Sequence, residues 1–147
     1  MTTRRNFIRK TSAGTAAVTL GGLILPSASF ANILGANDHI NCAIIGVRSR
    51  AKAHVKAIHQ DKNAKIIYSC DVDDIILKEH NEWCQENIGY IPKIEKDFRK
   101  VLEDKEVDAV FIATPEHWHA PMAILALQAG KHVYVEKPCS HNPYEND

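Results

Sequence analysis

Apolar residues recur along this chain with two alternating spacings, and the alternation predicts strands and helices taken in turn. Ile40-Asn-Cys-Ala-Ile-Ile45 is a short run with apolar, β-branched residues that stops at Gly46. After the turn Val47-Arg-Ser-Arg-Ala51, the residues Ala51, Val55 and Ile58 fall at i, i+4 and i+7, which is one buried face of a helix. Lys65-Ile-Ile-Tyr-Ser-Cys70 makes the second strand and ends at Asp71. Asp73 or Asp74 can open the next helix, because a carboxylate there accepts from backbone N–H groups that the first turn leaves free. Ile76, Leu77, His80, Trp83 and Cys84 then share one side.

The pattern continues past that βαβα unit. Tyr90-Ile-Pro-Lys-Ile94 predicts a short third strand, and Pro92, which has no N–H to donate, restricts it to a sheet edge. An edge is where the third strand lies in the common dinucleotide-binding order 3-2-1-4-5-6. Phe98, Val101 and Leu102 mark a third helix, and Val107 to Ala113 the fourth strand. A fourth helix carries Pro121 in its first turn and Gly130 just past its end, the usual punctuation. Val133-Tyr-Val135 is the fifth strand. The fold class is α/β, a Rossmann-type doubly wound parallel sheet, expected to be incomplete at its C-terminal end. A sixth strand with its helix would finish the sheet, and a second domain would cover the reactive end of a bound nucleotide. The expectation is a fragment or a truncated frame lacking its substrate domain.

Before the first strand the composition changes. Thr3-Arg-Arg-Asn-Phe-Ile-Arg-Lys10 precedes an uncharged stretch from Thr11 to Leu25, then Pro26 and the small-residue segment Ser27-Ala-Ser-Phe-Ala31. This is the twin-arginine export pattern, with a cut after Ala31. Its apolar part is shorter than the roughly 20 residues needed to span a bilayer. The rival readings are an uncleaved anchor and a basic start before a core helix. The expected organisation is a signal peptide over 1–31, a linker over 32–38 and the nucleotide-binding domain over 39–147. It carries an expected periplasmic or otherwise exported location, with the twin-arginine (Tat) machinery as a partner. That route exports folded proteins, which suits a domain that acquires its cofactor first.

Without the signal the chain has on the order of 115 residues, enough for one small core. Lys plus Arg and Asp plus Glu both number 18, so the net charge is zero. No basic patch stands out after the signal, and nucleic acid is not expected as a partner. Cys42, Cys70, Cys84 and Cys139 form no CxxC pair. Cys42 and Cys70, inside apolar runs, read as buried thiols rather than a disulfide.

Candidate chemistry sits at strand ends. Gly46-Val-Arg-Ser-Arg-Ala51 occupies the place of G-x-G-x-x-G/A, keeping the first glycine and the permitted final alanine, with Arg48 at the second glycine. There a helix N-terminus offers free N–H groups and partial positive charge to a pyrophosphate. Arg48 and Arg50 either lean over the phosphates or are solvated. Asp71, about 25 residues beyond Gly46, ends the second strand, where a carboxylate accepts from ribose hydroxyls and repels a 2′-phosphate. That favours NAD over NADP. The alternative is that Asp71 or Asp73 only caps the next helix.

Two further segments complete the edge. In Thr114-Pro-Glu-His-Trp-His119 the pair His117 and His119 shares its spacing with Cys139 and His141. Without a third ligand at a recognisable spacing this is a poor zinc signature, and no metal is expected. A turn packing against nicotinamide, with Trp118 partly buried, is the preferred reading. Glu136-Lys-Pro138 puts a carboxylate and an ammonium at the end of the fifth strand. A lysine there can bind a substrate hydroxyl or assist proton transfer.

Taken together, Ala113-Thr-Pro-Glu-His-Trp-His119, Ala129-Gly-Lys-His132 and Glu136-Lys-Pro138 make residues 40 to about 145 resemble the Gfo/Idh/MocA oxidoreductases, and the signal resembles that of their exported members. The resemblance implies that Gly46, Arg48, Ser49, Arg50 and Asp71 line the pyrophosphate and ribose. It implies that Thr114, Pro115, His119, Glu136 and Lys137 lie along the nicotinamide half, with Lys137 as the catalytic candidate. The family's remaining catalytic residues belong to a substrate domain. Many exported members have glycine where this chain has Ser49 and Ala51, so a stiffer turn is expected. The implied partners are a nicotinamide dinucleotide and a sugar or polyol; homo-oligomerisation is left open. The leading expectation is hydride transfer between a sugar carbon and the nicotinamide. A glycosidase that oxidises its sugar transiently is the first alternative. An inactive, truncated nucleotide-binding module is the second, and the 147-residue chain alone is expected to be inactive.

Overall fold

In a computed structural model, described over residues 39–142, the two spacings become a five-stranded sheet with helices on both faces. The segments read as export signal and linker lie outside the described residues. The elements are β1 (Ile40–Ile45), α1 (Ser49–Gln60), β2 (Ala64–Cys70), α2 (Asp74–Ile88), β3 (Lys93–Glu95), α3 (Phe98–Glu103), β4 (Ala109–Ile112), a 3₁₀ turn (Glu116–Trp118), α4 (His119–Gln128) and β5 (His132–Val135). The strand order is β3-β2-β1-β4-β5, with every pair parallel. This is the order expected from the sequence. The chain moves outward from β1 to β3, crosses over, and winds outward again through β4, so the switch point lies between β1 and β4.

Alternation along β1 feeds two cores. Cys42 and Ile44 face Ala51, Val55, Ile58, Leu77 and Cys84 of α1 and α2. Ala43 and Ile45 face Val101, Leu102, Met122 and Ala126 of α3 and α4. A strand covered on both sides must be apolar at every position, and from Cys42 to Ile45 all are buried.

The helix ends resolve one alternative and the third strand corrects one boundary. Asp73 caps α2, accepting from the N–H groups of Ile75 and Ile76 at 3.0 and 3.3 Å. The third strand was expected over 90–94 but begins only at Lys93. Gly89, at φ 80°, ends α2 in the left-handed region. The residues before Lys93 are then held by side chains: the Tyr90 hydroxyl accepts from the Ile66 N–H at 3.1 Å, and the Asn81 amide donates to the Pro92 carbonyl at 3.3 Å. Pro92, with no N–H, therefore precedes the ladder instead of lying within it.

His80 is buried on α2 with its Nε2 3.4 Å from the Cys84 sulfur. Burial lowers its pKa from 6.5 to about 4, with the Lys52 charge acting in the same direction. Between those two values the unfolded chain holds a proton that the folded chain does not, so stability rises with pH across that window and is level above it. Replacing His80 by leucine is expected to remove on the order of 1 kcal/mol per pH unit from that slope. Urea unfolding of both proteins at a series of pH values measures it; identical slopes would contradict the neutral buried ring.

Candidate nucleotide site

The strand ends converge on a turn that only glycine can make. Gly46 adopts φ 84°, and a Cβ there would lie 2.7 Å from the carbonyl carbon and oxygen of Ala113 and from the Thr114 nitrogen. The turn is thus seated directly on the end of β4. Gly46 donates to the Cys70 carbonyl at 2.8 Å, and Val47 donates to Asp71 Oδ2 at 3.0 Å. Asp71 Oδ1 accepts from the Asp73 N–H at 3.2 Å. Asp71 therefore braces the turn from the end of β2. A carboxylate has lone pairs beyond these two bonds, so it can still accept from a ligand hydroxyl.

Beyond the turn, α1 starts at Ser49 with Arg48 as its N-cap, and no side chain caps it. An uncapped first turn leaves N–H groups and the positive end of the helix dipole available to an anion. The Arg48 guanidinium reaches Asp73 at 3.1 Å.

An open groove of about 630 Å³ runs along these strand ends. Of the residues expected to contact a dinucleotide, Gly46, Arg48, Asp71, Thr114 and Pro115 line it. The segment from Glu95 to Lys100, together with Val72, forms walls that motif reading did not name, while Trp118, expected to be partly buried, lines the groove at 45% exposure. The doubly wound order was the available signal, since every strand on one side of the switch point ends at the same crevice. The charges on this wall are paired. Arg99 lies 2.8 Å from Asp97, Lys96 2.8 Å from Asp74 and Lys100 3.8 Å from Glu95. Arg99 holds the Asp97 carboxyl below its ordinary range, and the backbone N–H groups of Asp97 and Lys96 do the same for Glu95. Phe98 and Trp118 meet edge to face at 6.4 Å and give the groove an aromatic border.

The other expected residues stand off the groove. Ser49 and Arg50 lie on α1, and Lys137 is exposed just past β5. Arg50 takes a role not foreseen in the sequence: its Nε lies 2.6 Å from Glu136 Oε1. That bond is the main reason the Glu136 carboxyl titrates below its ordinary range. His119 is buried, with Nδ1 2.6 Å from the Pro138 carbonyl oxygen and Nε2 2.8 Å from that of Thr114. It ties the turn after β4 to the segment after Lys137. Both ring nitrogens face carbonyl oxygens, and a neutral imidazole, with a single N–H, donates to one of them at a time. Among the described residues, no group of three or more His, Cys, Asp or Glu side chains is placed to hold a metal. Burial pushes the thiols of Cys42 and Cys84 up to about 11 and that of Cys70 to about 12, while Cys139 is exposed; all four are free.

Known proteins share the sheet and helices described above. The family described as oxidoreductases with an NAD-binding Rossmann fold matches residues 40–146. A glycosyl hydrolase family 109 protein of Shewanella sp. (strain ANA-3) is 32% identical, covering 92% of this chain and 33% of that protein. An α-N-acetylgalactosaminidase of Tannerella forsythia is 30% identical, covering 87% of this chain and 31% of the relative. The chain thus spans about a third of the length of these curated relatives. Among solved structures, the WlbA dehydrogenase of Bordetella pertussis in complex with NADH and UDP-GlcNAcA superposes with a TM-score of 0.61 at 27% identity, covering 73% of this chain and 31% of that one. The scyllo-inositol dehydrogenase of Lactobacillus casei superposes with a TM-score of 0.62 at 29% identity, covering 74% and 31%.

Proposed function

Since this chain belongs to the Gfo/Idh/MocA oxidoreductase family, whose fold is NAD-binding and Rossmann-type, we propose that it binds a nicotinamide dinucleotide along the strand-end groove and serves hydride transfer at a sugar or polyol hydroxyl. The observation that carries this reading is the Gly46 turn. It presses its backbone against β4, where a Cβ would collide at 2.7 Å, and it leads into a helix with no side-chain cap. Backbone N–H groups at such a helix start suit a pyrophosphate. The residues present therefore fit the cofactor.

Bound there, the dinucleotide supplies a hydride acceptor or donor. The chain's own residues do the rest. The N-terminal turn of α1 receives the phosphates. Asp71 accepts from the adenine-side ribose hydroxyls and disfavours a 2′-phosphate, so NAD is the preferred cofactor. Thr114 and Pro115 shape the groove beyond the switch point. Lys137 holds the substrate hydroxyl and eases movement of its proton.

A second reading is kept because the curated relatives named above are glycosyl hydrolase family 109 proteins and an α-N-acetylgalactosaminidase. In that reading the sugar would be oxidised transiently, lose the glycosidic group by elimination, take up water in its place and be reduced again by the returned hydride, so that no net change of the cofactor remains. Turnover separates the two. The 147-residue chain, and any longer product of the same reading frame, is incubated with NAD and either free sugars and polyols or aryl N-acetylgalactosaminides. Net NADH accumulation supports the oxidoreductase. Release of the aryl group with no net NADH supports the glycosidase and overturns the first reading.

A further inference from the structure

Resting on the cofactor reading above, we propose that His54 is a positioning residue which, with Arg50, couples the dinucleotide turn to Lys137 through the Glu136 carboxylate. His54 and Arg50 lie four positions apart on α1 and so share a face. Both address the same atom: Arg50 Nε is 2.6 Å and His54 Nε2 2.9 Å from Glu136 Oε1. The Arg50 contact bridges residues 86 positions apart in sequence. At one end of the bridge is the helix whose first turn faces the dinucleotide. At the other is Glu136, the residue just after β5, whose N–H still donates to the Ile112 carbonyl at 3.0 Å. Lys137 is the next residue in the chain, so the carboxylate of its neighbour is a fixed point close to its backbone.

The surroundings of His54 argue for this role over plain packing. His54 is 7% exposed, and its ring lies edge-on to Tyr134 at 5.1 Å and tilts against Phe111 at 5.8 Å. An apolar side chain would fill that aromatic slot without taking a polar nitrogen out of water. The buried Nε2 of His54 makes no hydrogen bond of regular geometry, and the polar atom it faces is the Glu136 carboxylate oxygen at 2.9 Å, so the nitrogen is placed toward that carboxylate and not merely packed. Glu136 is itself largely covered, at 12% side-chain exposure, with the Arg50 guanidinium bonded to its carboxylate and the His54 ring set against the same oxygen from the same helix. When a dinucleotide seats on the first turn of α1, any shift of that helix reaches Lys137 along these two contacts.

ADP-ribose tests the coupling, because it engages the turn and lacks the nicotinamide that would touch the lysine directly. The amide resonances of Val47, Ser49 and Lys137 are followed in wild type, His54→Leu and His54→Gln. In wild type, saturation moves all three. In His54→Leu, Val47 and Ser49 still move while the Lys137 response drops at least about fivefold; His54→Gln, which keeps a polar Nε2, restores it. Arg50→Met, at an exposed position, is a second variant with the same expected loss and does not disturb the aromatic slot. A Lys137 response equal to wild type in both His54→Leu and Arg50→Met overturns the coupling while leaving cofactor binding intact. An unmoved Val47 in wild type overturns the cofactor reading and the coupling with it.

Discussion

Gly46→Val is expected to destabilise the domain by roughly 3–5 kcal/mol and to abolish measurable NADH binding. Two costs combine. A β-branched residue at φ 84° occupies a left-handed conformation unfavourable by about 1–2 kcal/mol for an L-residue. Its Cβ would also stand 2.7 Å from three backbone atoms at the end of β4, which cannot give way as a flexible side chain can. Relief requires lifting the turn away from β4, and that moves the uncapped start of α1 away from the groove. Urea unfolding and an NADH fluorescence titration measure the two effects. An unchanged midpoint with unchanged affinity would mean that the turn does not rest on β4 as described.

Lys137→Met should show the opposite separation. The side chain is exposed, so stability is expected to change by less than about 0.5 kcal/mol and NADH affinity only slightly. If the lysine moves or holds the substrate proton, kcat in an active form of the protein falls by roughly 10²–10⁴-fold. Lys137→Arg should not restore it, because a guanidinium keeps its proton and spreads its donors over a rigid plane. Wild-type kcat in Lys137→Met would remove the residue from the chemistry under either reading of the reaction.

Much of the architecture was legible in the chain because its cause is local. The apolar run of Ile40–Ile45 and the i, i+4, i+7 recurrence of Ala51, Val55 and Ile58 each follow from one strand covered on both faces or one helix's pitch. The third strand was placed three residues early because its true start depends on partners outside the run, namely the Tyr90 hydroxyl on Ile66 and the Asn81 amide on Pro92. The Glu95–Lys100 wall went unnamed for a related reason: it carries no motif and acquires its place from the sheet order alone.

The site divides along the same line. The glycine turn, the acidic end of the second strand and the lysine after the fifth could be read from residue type and spacing, because each is a short segment whose chemistry is intrinsic. That Arg50 would meet Glu136, that His54 would face the same oxygen, and that His119 would sit between the backbone carbonyls of Thr114 and Pro138 could not. Hydrogen bonds and ion pairs depend on tenths of an ångström between groups far apart in sequence, and a hydrophobic period fixes only which face of an element is buried. The sequence by itself determined the winding of the sheet and the chemistry available at its edge; the tertiary structure alone decided which of those side chains face the groove and which hold one another in place.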